Sequence, residues 1–305
     1  MKHYLLLILR GMAMGAADVV PGVSGGTIAF ITGIYEELID SIKSINAKAV
    51  SILAKEGFGS FWKHVNGNFL ASVFGGIAIS VLSLAKLISH MLEVYPIMVW
   101  AFFFGLIVAS AWVVSHRITQ WNTGKVLALI AGILIAYFIT LLSPAETSDA
   151  WWFLFLAGAL AICAMILPGI SGAFILLLLG KYQFIIEALS TLNIPVIAIV
   201  GVGAIIGLML FSNVLSFLLH KFHDYTVAVL SGFMIGALNK VWPWKKPLET
   251  LVDQHGEIEP MVEPNIWPTT YAELSGANSY WLGALITAFI GFALIIVVDR
   301  ITKEK

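Results

Sequence analysis

The chain has 305 residues, of which 59% are apolar and 11% charged, and its mean hydropathy is +0.93. An average soluble domain is roughly 45–50% apolar and about 25% charged, so a soluble globular class is excluded. Seventeen Lys and Arg against eighteen Asp and Glu leave no globally basic surface for nucleic acid. The single cysteine, Cys163, excludes a disulfide scaffold and a cysteine metal site. A polytopic membrane protein remains.

A helix needs about 20 apolar residues to cross a hydrocarbon core roughly 30 Å thick. In chain order, residues 4–35 are apolar in bulk but are broken by Arg10, Asp18 and the run Pro21-Gly22-Val23-Ser24-Gly25-Gly26. Spans follow at 68–90, 96–115 and 125–142. Residues 151–187 are broken in turn at Pro168-Gly169-Ile170-Ser171-Gly172, and further spans are expected at 194–219, 225–241 and 280–298. The runs are continuous rather than alternating, so the spans are helical and not barrel strands. The two broken regions, 4–35 and 151–187, predict re-entrant helical hairpins. Their irregular backbone is tolerable at membrane depth only where protein buries it or a wet cavity borders it. Arg10 cuts the apolar run after Lys2 too short for a signal-peptide core, so residues 1–17 are read as part of the folded chain.

With the N-terminus cytoplasmic and each hairpin returning to its own side, Lys43, Lys48, Lys55, Lys63, Arg117, Lys125, Lys221 and Arg300 fall inside. Only Lys240, Lys245 and Lys246 fall outside, in an acidic, proline-rich loop over 240–279. This fits the positive-inside bias and predicts that both termini are cytoplasmic. The tryptophans at 100, 151, 152, 242 and 281 read as interfacial anchors. Ser212 and Asn213 read as polar groups holding helices together.

A shift of 147 residues lays Pro21-Gly22-Val23-Ser24-Gly25 on Pro168-Gly169-Ile170-Ser171-Gly172, Gly33 on Gly180 and Tyr35 on Tyr182. A shift of 127 lays Ala71 on Ala198, Gly76 on Gly203 and Gly105 on Gly232. The chain therefore reads as one membrane domain of two halves, 1–144 and 145–305, each one hairpin and three crossings. An odd number of crossings inverts the second half, so the expected fold is all-α with an inverted repeat.

Glycine- and proline-broken segments at matching places in two such halves point to a midplane binding site. Amides at a new helix start lack partners within the helix and carry partial positive charge. The candidate cradle comprises Ser24, Gly25, Gly26 and Thr27 with Ser171, Gly172 and Ala173, whose small side chains and hydroxyls suit an anion. Arg10, costly in an apolar segment, can grip a phosphate in bidentate fashion, pair with Asp18 about two turns on, or snorkel. Asp18, Glu36 and Glu37 are the titratable candidates for ion coupling; the two glutamates also read as a solvated rim. No metal motif, cofactor motif, Walker loop or nucleophile–base pair occurs, and an enzyme is not expected.

The segments Gly15-Ala16-Ala17-Asp18-Val19-Val20-Pro21-Gly22-Val23-Ser24-Gly25-Gly26-Thr27 with Gly33-Ile34-Tyr35-Glu36, and Leu167-Pro168-Gly169-Ile170-Ser171-Gly172-Ala173-Phe174 through Gly180-Lys181-Tyr182, resemble the two signatures of a bacterial membrane family. Long known only as a domain of unknown function, that family is associated with polyprenyl-phosphate (undecaprenyl-phosphate) transport. The resemblance implies an inner-membrane flippase that returns the lipid carrier of cell-wall synthesis. Uphill transport by such a protein needs coupling to an ion, for which a proton or a sodium ion is the candidate partner. Met165 stands opposite Asp18, and Ala173 replaces a small polar residue, so the second cradle is expected to bind less strongly. On the residues alone, a transporter or channel for chloride or inorganic phosphate, or a receptor or scaffold for envelope enzymes, stays open.

Overall fold

The computed structural model describes residues 2–20, 23–145, 147–246, 249–252, 258–262 and 264–303. Pro21 and Gly22 of the first break, Pro247, Asp253, Glu257 and Glu263 of the outer loop, and Lys305 lie outside them. The first half runs α1 (Lys2–Asp18), α2 (Gly25–Ile31), α3 (Tyr35–Lys43), α4 (Ala47–Glu56), α5 (Phe58–His64), α6 (Gly67–Val94), α7 (Pro96–Ser115) and α8 (Thr123–Leu141). The second runs α9 (Trp151–Ile166), α10 (Gly172–Leu178), α11 (Tyr182–Ser190), α12 (Ile194–Lys221), α13 (His223–Ala237), β1 (Glu249–Val252), β2 (Ile258–Val262), α14 (Pro268–Ser275) and α15 (Trp281–Lys303).

The described fold is helical except for the outer loop, where β1 and β2 pair antiparallel with Val252 opposite Ile258. Helices α6, α7, α8, α12 and α15 are long and apolar enough to cross a bilayer. Helix α13 is shorter than its expected span: it stops at Ala237, where the Lys240 N–H turns back onto the Ala237 carbonyl (2.9 Å). The loop expected over 240–279 is partly built, with α14 and two indoles inside a cap. Trp242 Nε1 donates to Ile266 O (2.9 Å), and the buried Trp244 donates to Ser279 O (2.8 Å). Trp242 is thus a packing residue of the cap rather than a lipid anchor, because its N–H finds a backbone acceptor there. Trp151 and Trp281 keep the exposure an anchor needs.

Helix starts follow the local chemistry. Asn46, Asn122 and Asn193 accept from the first amides of α4, α8 and α12. Pro96 opens α7, where its missing N–H costs nothing. The short helices α2 and α10 end alike. Gly33 (φ 73°) and Gly180 (φ 61°) adopt the left-handed conformation, and the next amides reach back to Ala29 O (3.0 Å) and Leu176 O (2.8 Å). After Gly180 the chain bends by 110° from α10 into α11.

Glycines set the helix pairing. A Cβ on Gly11 would lie 2.2 Å from Val73 O, and one on Gly76 2.2 Å from Ile8 O, which brings α1 against α6. Gly158 meets Val200 O (2.3 Å) and Gly203 meets Phe155 O (2.1 Å) in the same way between α9 and α12. The remaining crossings pair across the halves. Gly105 and Gly291 let α7 lie on α15, and Gly132 and Gly232 let α8 lie on α13. With lipid tails as apolar as leucine, close backbone approach at small residues is what draws such helices together.

Gly105→Ala would put a methyl 1.9 Å from Ala288 O. It is expected to destabilise the purified protein by about 1–3 kcal/mol, as overpacking does. Gly75→Ala meets nothing within 4 Å and is expected to be neutral or stabilising by about 0.5–1 kcal/mol. Thermal unfolding in detergent separates the two.

Candidate functional site

The first break is organised by Ser24, which is 1% exposed. Its extended backbone caps α2, its Oγ accepts from the Gly26 N–H (3.1 Å), and the same hydroxyl donates to Met165 O (3.0 Å) on α9. The Gly25 N–H donates to the Asp18 carboxylate (2.7 Å), and the Thr27 N–H bonds Ser24 O (3.0 Å). The first-break amides expected to wait for a guest anion are therefore taken, that of Gly25 by the Asp18 carboxyl group. Only a glycine fits there: a Cβ would lie 2.5 Å from Asp18 Oδ2.

The two breaks come together. Besides the Ser24 contact, the Gly169 N–H donates to Thr27 Oγ1 (3.2 Å), and the Tyr35 hydroxyl donates to Ile166 O (3.2 Å). A Cβ on Gly26 would lie 2.3 Å from Ile166 O. Ser24, Gly25, Gly26 and Thr27 are buried in this contact, with Ser171 and Gly172 buried and Ala173 half-buried on the other side. A Cβ on Gly172 would lie 2.6 Å from Ala161 O and 3.2 Å from Met165 Cβ, as one on Gly25 would meet Met14 O and Asp18. The Ser171 hydroxyl caps no amide.

Arg10 is half-buried, and among the described residues no ion pair joins it to Asp18; the carboxylate that acts on its charge is Glu37. Glu37 Oε1 accepts from Asn66 Nδ2 (2.9 Å), and Glu36 Oε1 lies 3.3 Å from His223 Nε2. Both glutamates are exposed. Glu37 faces Asn66 at the start of α6, whereas Glu36 belongs to a polar cluster that ties α3 to the α12–α13 junction. There Ser216 Oγ donates to Asp40 Oδ1 (2.7 Å), Lys43 Nζ donates to Ser216 Oγ (3.1 Å), and His220 Nε2 sits 3.5 Å from Asp40. Lys125 and Asp224 close the same end with a largely buried ion pair (2.6 Å).

Sequence reasoning did not assign Arg117, Asp40, His220 or His223 to this region. Arg117, counted only for topology, donates to Ile31 O (3.0 Å) at the end of α2 and lies over the Phe30 ring (5.4 Å). The histidines read as span-end residues outside any metal cluster, and among the described residues no His/Cys/Asp/Glu group suits a metal. Two of their carboxylate partners, Asp40 and Glu36, lie more than 170 positions away in sequence, beyond any local pattern, while His223 Nδ1 also lies 3.2 Å from the adjacent Asp224. Ser212 and Asn213 do not bridge helices as expected: both bond Met209 O of their own helix.

Ser24→Ala would strip partners from the Gly26 N–H and Met165 O in a buried place. A loss of about 1–3 kcal/mol in thermal unfolding is expected. Ser171→Ala, which removes no hydrogen bond, is expected to unfold with the parent.

The model of the undecaprenyl phosphate translocase-like family matches residues 14–259. A polyprenyl-phosphate transporter of Vibrio cholerae serotype O1 is 45% identical over 302 residues, covering 99% of this chain and 98% of the relative. A polyprenyl-phosphate transporter of Staphylococcus aureus is 31% identical over 316 residues, covering 98% and 97%. No solved structure matches the chain. By the extent of these matches, the chain belongs to the undecaprenyl phosphate translocase-like family.

Proposed function

We propose that the chain carries a polyprenyl phosphate such as undecaprenyl phosphate across the bacterial cytoplasmic membrane for re-use in cell-wall synthesis. It does so by alternating access between two inverted halves, 1–144 and 145–305, each a re-entrant hairpin with three crossings. The observation that carries this reading is the buried contact between the two helix breaks, Ser24 to Met165 and Gly169 to Thr27. The names of the two relatives support the lipid. The glycine contacts support the repeat, since those between α1 and α6 recur between α9 and α12 at the 147 and 127 shifts.

In this reading the isoprenoid tail stays in hydrocarbon while the head group passes between the halves. An unshielded phosphate there would meet a desolvation cost of tens of kcal/mol by Born arithmetic. Arg10, the hydroxyls of Ser24, Thr27 and Ser171, and the backbone at Gly25, Gly26, Gly172 and Ala173 replace its water. An arriving phosphate displaces the Asp18 carboxylate from the Gly25 N–H. The displaced carboxylate must then be neutralised, which gives Asp18 the coupling role for a proton or sodium ion, with Glu36 and Glu37 at the cytoplasmic rim.

The structure supports one end of such a cycle. Helix α3 is packed, with Leu38, Ile39 and Ile42 buried and Asp40 bonded to α12 of the other half. Helix α11, at the matching place, packs on its own neighbours α10 and α12 and leaves Ile186 and Leu189 exposed. With both termini cytoplasmic, the sealed end faces the cytoplasm and the conformation faces outward.

Liposomes holding the purified protein and a labelled polyprenyl phosphate test the proposal. The parent is expected to move the lipid, and Arg10→Ala to slow it by about tenfold or more, the worth of a charge-assisted hydrogen bond. A parent that moves chloride or inorganic phosphate and leaves the lipid in place overturns the reading in favour of small-anion transport.

A further inference from the structure

We propose that α4 and α5 form an amphipathic pair that lies on the cytoplasmic face of the bilayer and binds anionic phospholipid head groups through Lys48, Lys55 and Lys63. The surface goes beyond the transport reading and does not depend on what the chain carries.

The second half has no counterpart to this segment. Helix α11 gives way to α12 across residues 191–193 alone, whereas residues 44–66 separate α3 from α6 and build α4 and α5. The base of the segment is fixed to α3 at both ends. Asn46 Nδ2 donates to Lys43 O (3.2 Å), and Asn66 Nδ2 donates to Ser41 Oγ (3.2 Å). Gly57, in the left-handed region at φ 85°, turns the chain between the two short helices, which pack on one another.

Helix α5 is held at the mouth of a span. The Trp62 indole lies so close to Gly67 that a Cβ there would come within 2.3 Å of the ring, and Trp62 Nε1 donates to Asn68 (2.8 Å). Gly67 and Asn68 open α6, and its apolar stretch begins at the same glycine. Asn68 Nδ2 in turn donates to the Tyr4 hydroxyl of α1 (3.3 Å). Phe58, Phe61 and Trp62 recur at helical spacing, with the Phe58 ring 6.2 and 5.4 Å from the other two. Aromatic rings at the end of a span belong at the head-group level. With the N-terminus cytoplasmic, this end of α6 is the cytoplasmic one.

The side chains fit that place. On α4, Lys48 and Lys55 share one face, Val50 and Leu53 share the opposite one, and the buried Ala49 turns inward between them. Val50 and Phe58 are each 64% exposed and Leu53 is 42% exposed. Lys48, Lys55 and Lys63 are exposed too, and their ammonium groups make no hydrogen bond or ion pair among the described residues. Across 47–64 only Glu56 opposes their charge. Uncovered apolar side chains beside unpaired lysines are the composition of a helix lying in an anionic interface, with its apolar face at the acyl boundary and its cations among the phosphates. An acidic partner protein would answer the charge but not the depth at which Trp62 fixes the pair, so lipid is the occupant. Since Asn46 and Asn66 tie the pair to α3, what holds it at the interface also holds the helix that carries Asp40.

Spin-label accessibility in the full-length protein tests the surface. In a Cys163→Ala background, a nitroxide is attached at Val50→Cys or Phe58→Cys, and the protein is placed in liposomes of phosphatidylcholine alone or mixed with phosphatidylglycerol. Oxygen is expected to reach both labels better than an uncharged, water-soluble nickel chelate does, and phosphatidylglycerol is expected to lower chelate access further. A lysine near an anionic surface shifts partition about fivefold, so Lys48→Gln, Lys55→Gln and Lys63→Gln together are expected to return chelate access to its phosphatidylcholine value. Arginine at the same three positions is expected to keep the parent's pattern, and thermal unfolding in detergent is expected to match the parent in both triple variants. Chelate access that is high in both bilayers, or a phosphatidylglycerol effect that survives the three glutamines, overturns the proposal. So does exclusion of oxygen and chelate alike, which would mean that protein covers the face. A parent that leaves polyprenyl phosphate unmoved overturns the transport reading and not this surface.

Discussion

The hydrogen bond from Ser24 to the Met165 carbonyl meets the constraint on which the rest of the architecture turns. A helix interrupted inside a bilayer strands backbone amides and carbonyls where no water can reach them, and each unpaired group costs several kcal/mol. Here the interruptions satisfy one another. The carbonyls of Met165 and Ile166, left open where α9 ends, are taken by hydroxyls of Ser24 and Tyr35, and the amide of Gly169 is taken by Thr27. Small residues follow from this, since a Cβ at Gly25 or Gly26 would collide with the partner groups. The break is therefore a polar joint closed by the other half of the chain.

The joint is lopsided, and that property connects structure to the proposed cycle. All the side-chain hydroxyls in it come from the first half, while Ser171 and the more exposed Tyr182 contribute none. The same bias appears at the ends: α3 reaches across to Ser216 and the histidines, whereas α11 stays with its own neighbours. In the proposed arrangement of two inverted halves, sealing both ends equally would leave no route for a head group. One sealed end and one loose end are what alternating access requires of any single conformation.

How much could be read in advance depended on whether a signal was local. The five long spans and both breaks were legible because apolar run length and Pro-Gly interruptions are properties of neighbouring residues. Gly33 and Gly180 could be paired for the same reason, each ending a short helix in a turn that glycine favours. The candidate site was legible as residue types at the breaks but not as an arrangement. Nothing near Asp18 in sequence says that it turns onto Gly25 rather than toward Arg10. The partners of Glu36 and Asp40 lie in the far half, and the choice is settled by tertiary packing. Arg117 and Lys240 were visible only as loop charges for topology, because the ring each lies over sits on a helix far from it in sequence.

The pairing of the helices indicates which parts can move in the proposed cycle. Helices α7, α8, α13 and α15 pair across the halves through backbone contacts at Gly105, Gly132, Gly232 and Gly291, so sliding them would break close-packed carbonyl contacts on both sides at once. The pairs α1 with α6 and α9 with α12 are each internal to one half and equally tight, so each hairpin travels with its long helix. The surfaces left to rearrange are those where hairpins meet the cross-paired core and one another: α2 against α7 and α9, α3 against α12, and α10 beside α13. These are also the surfaces that carry Ser24, Asp40, Ser216 and Lys240. Motion about a fixed core would thus place the polar contacts that must break on moving surfaces and keep the glycine-packed seams still.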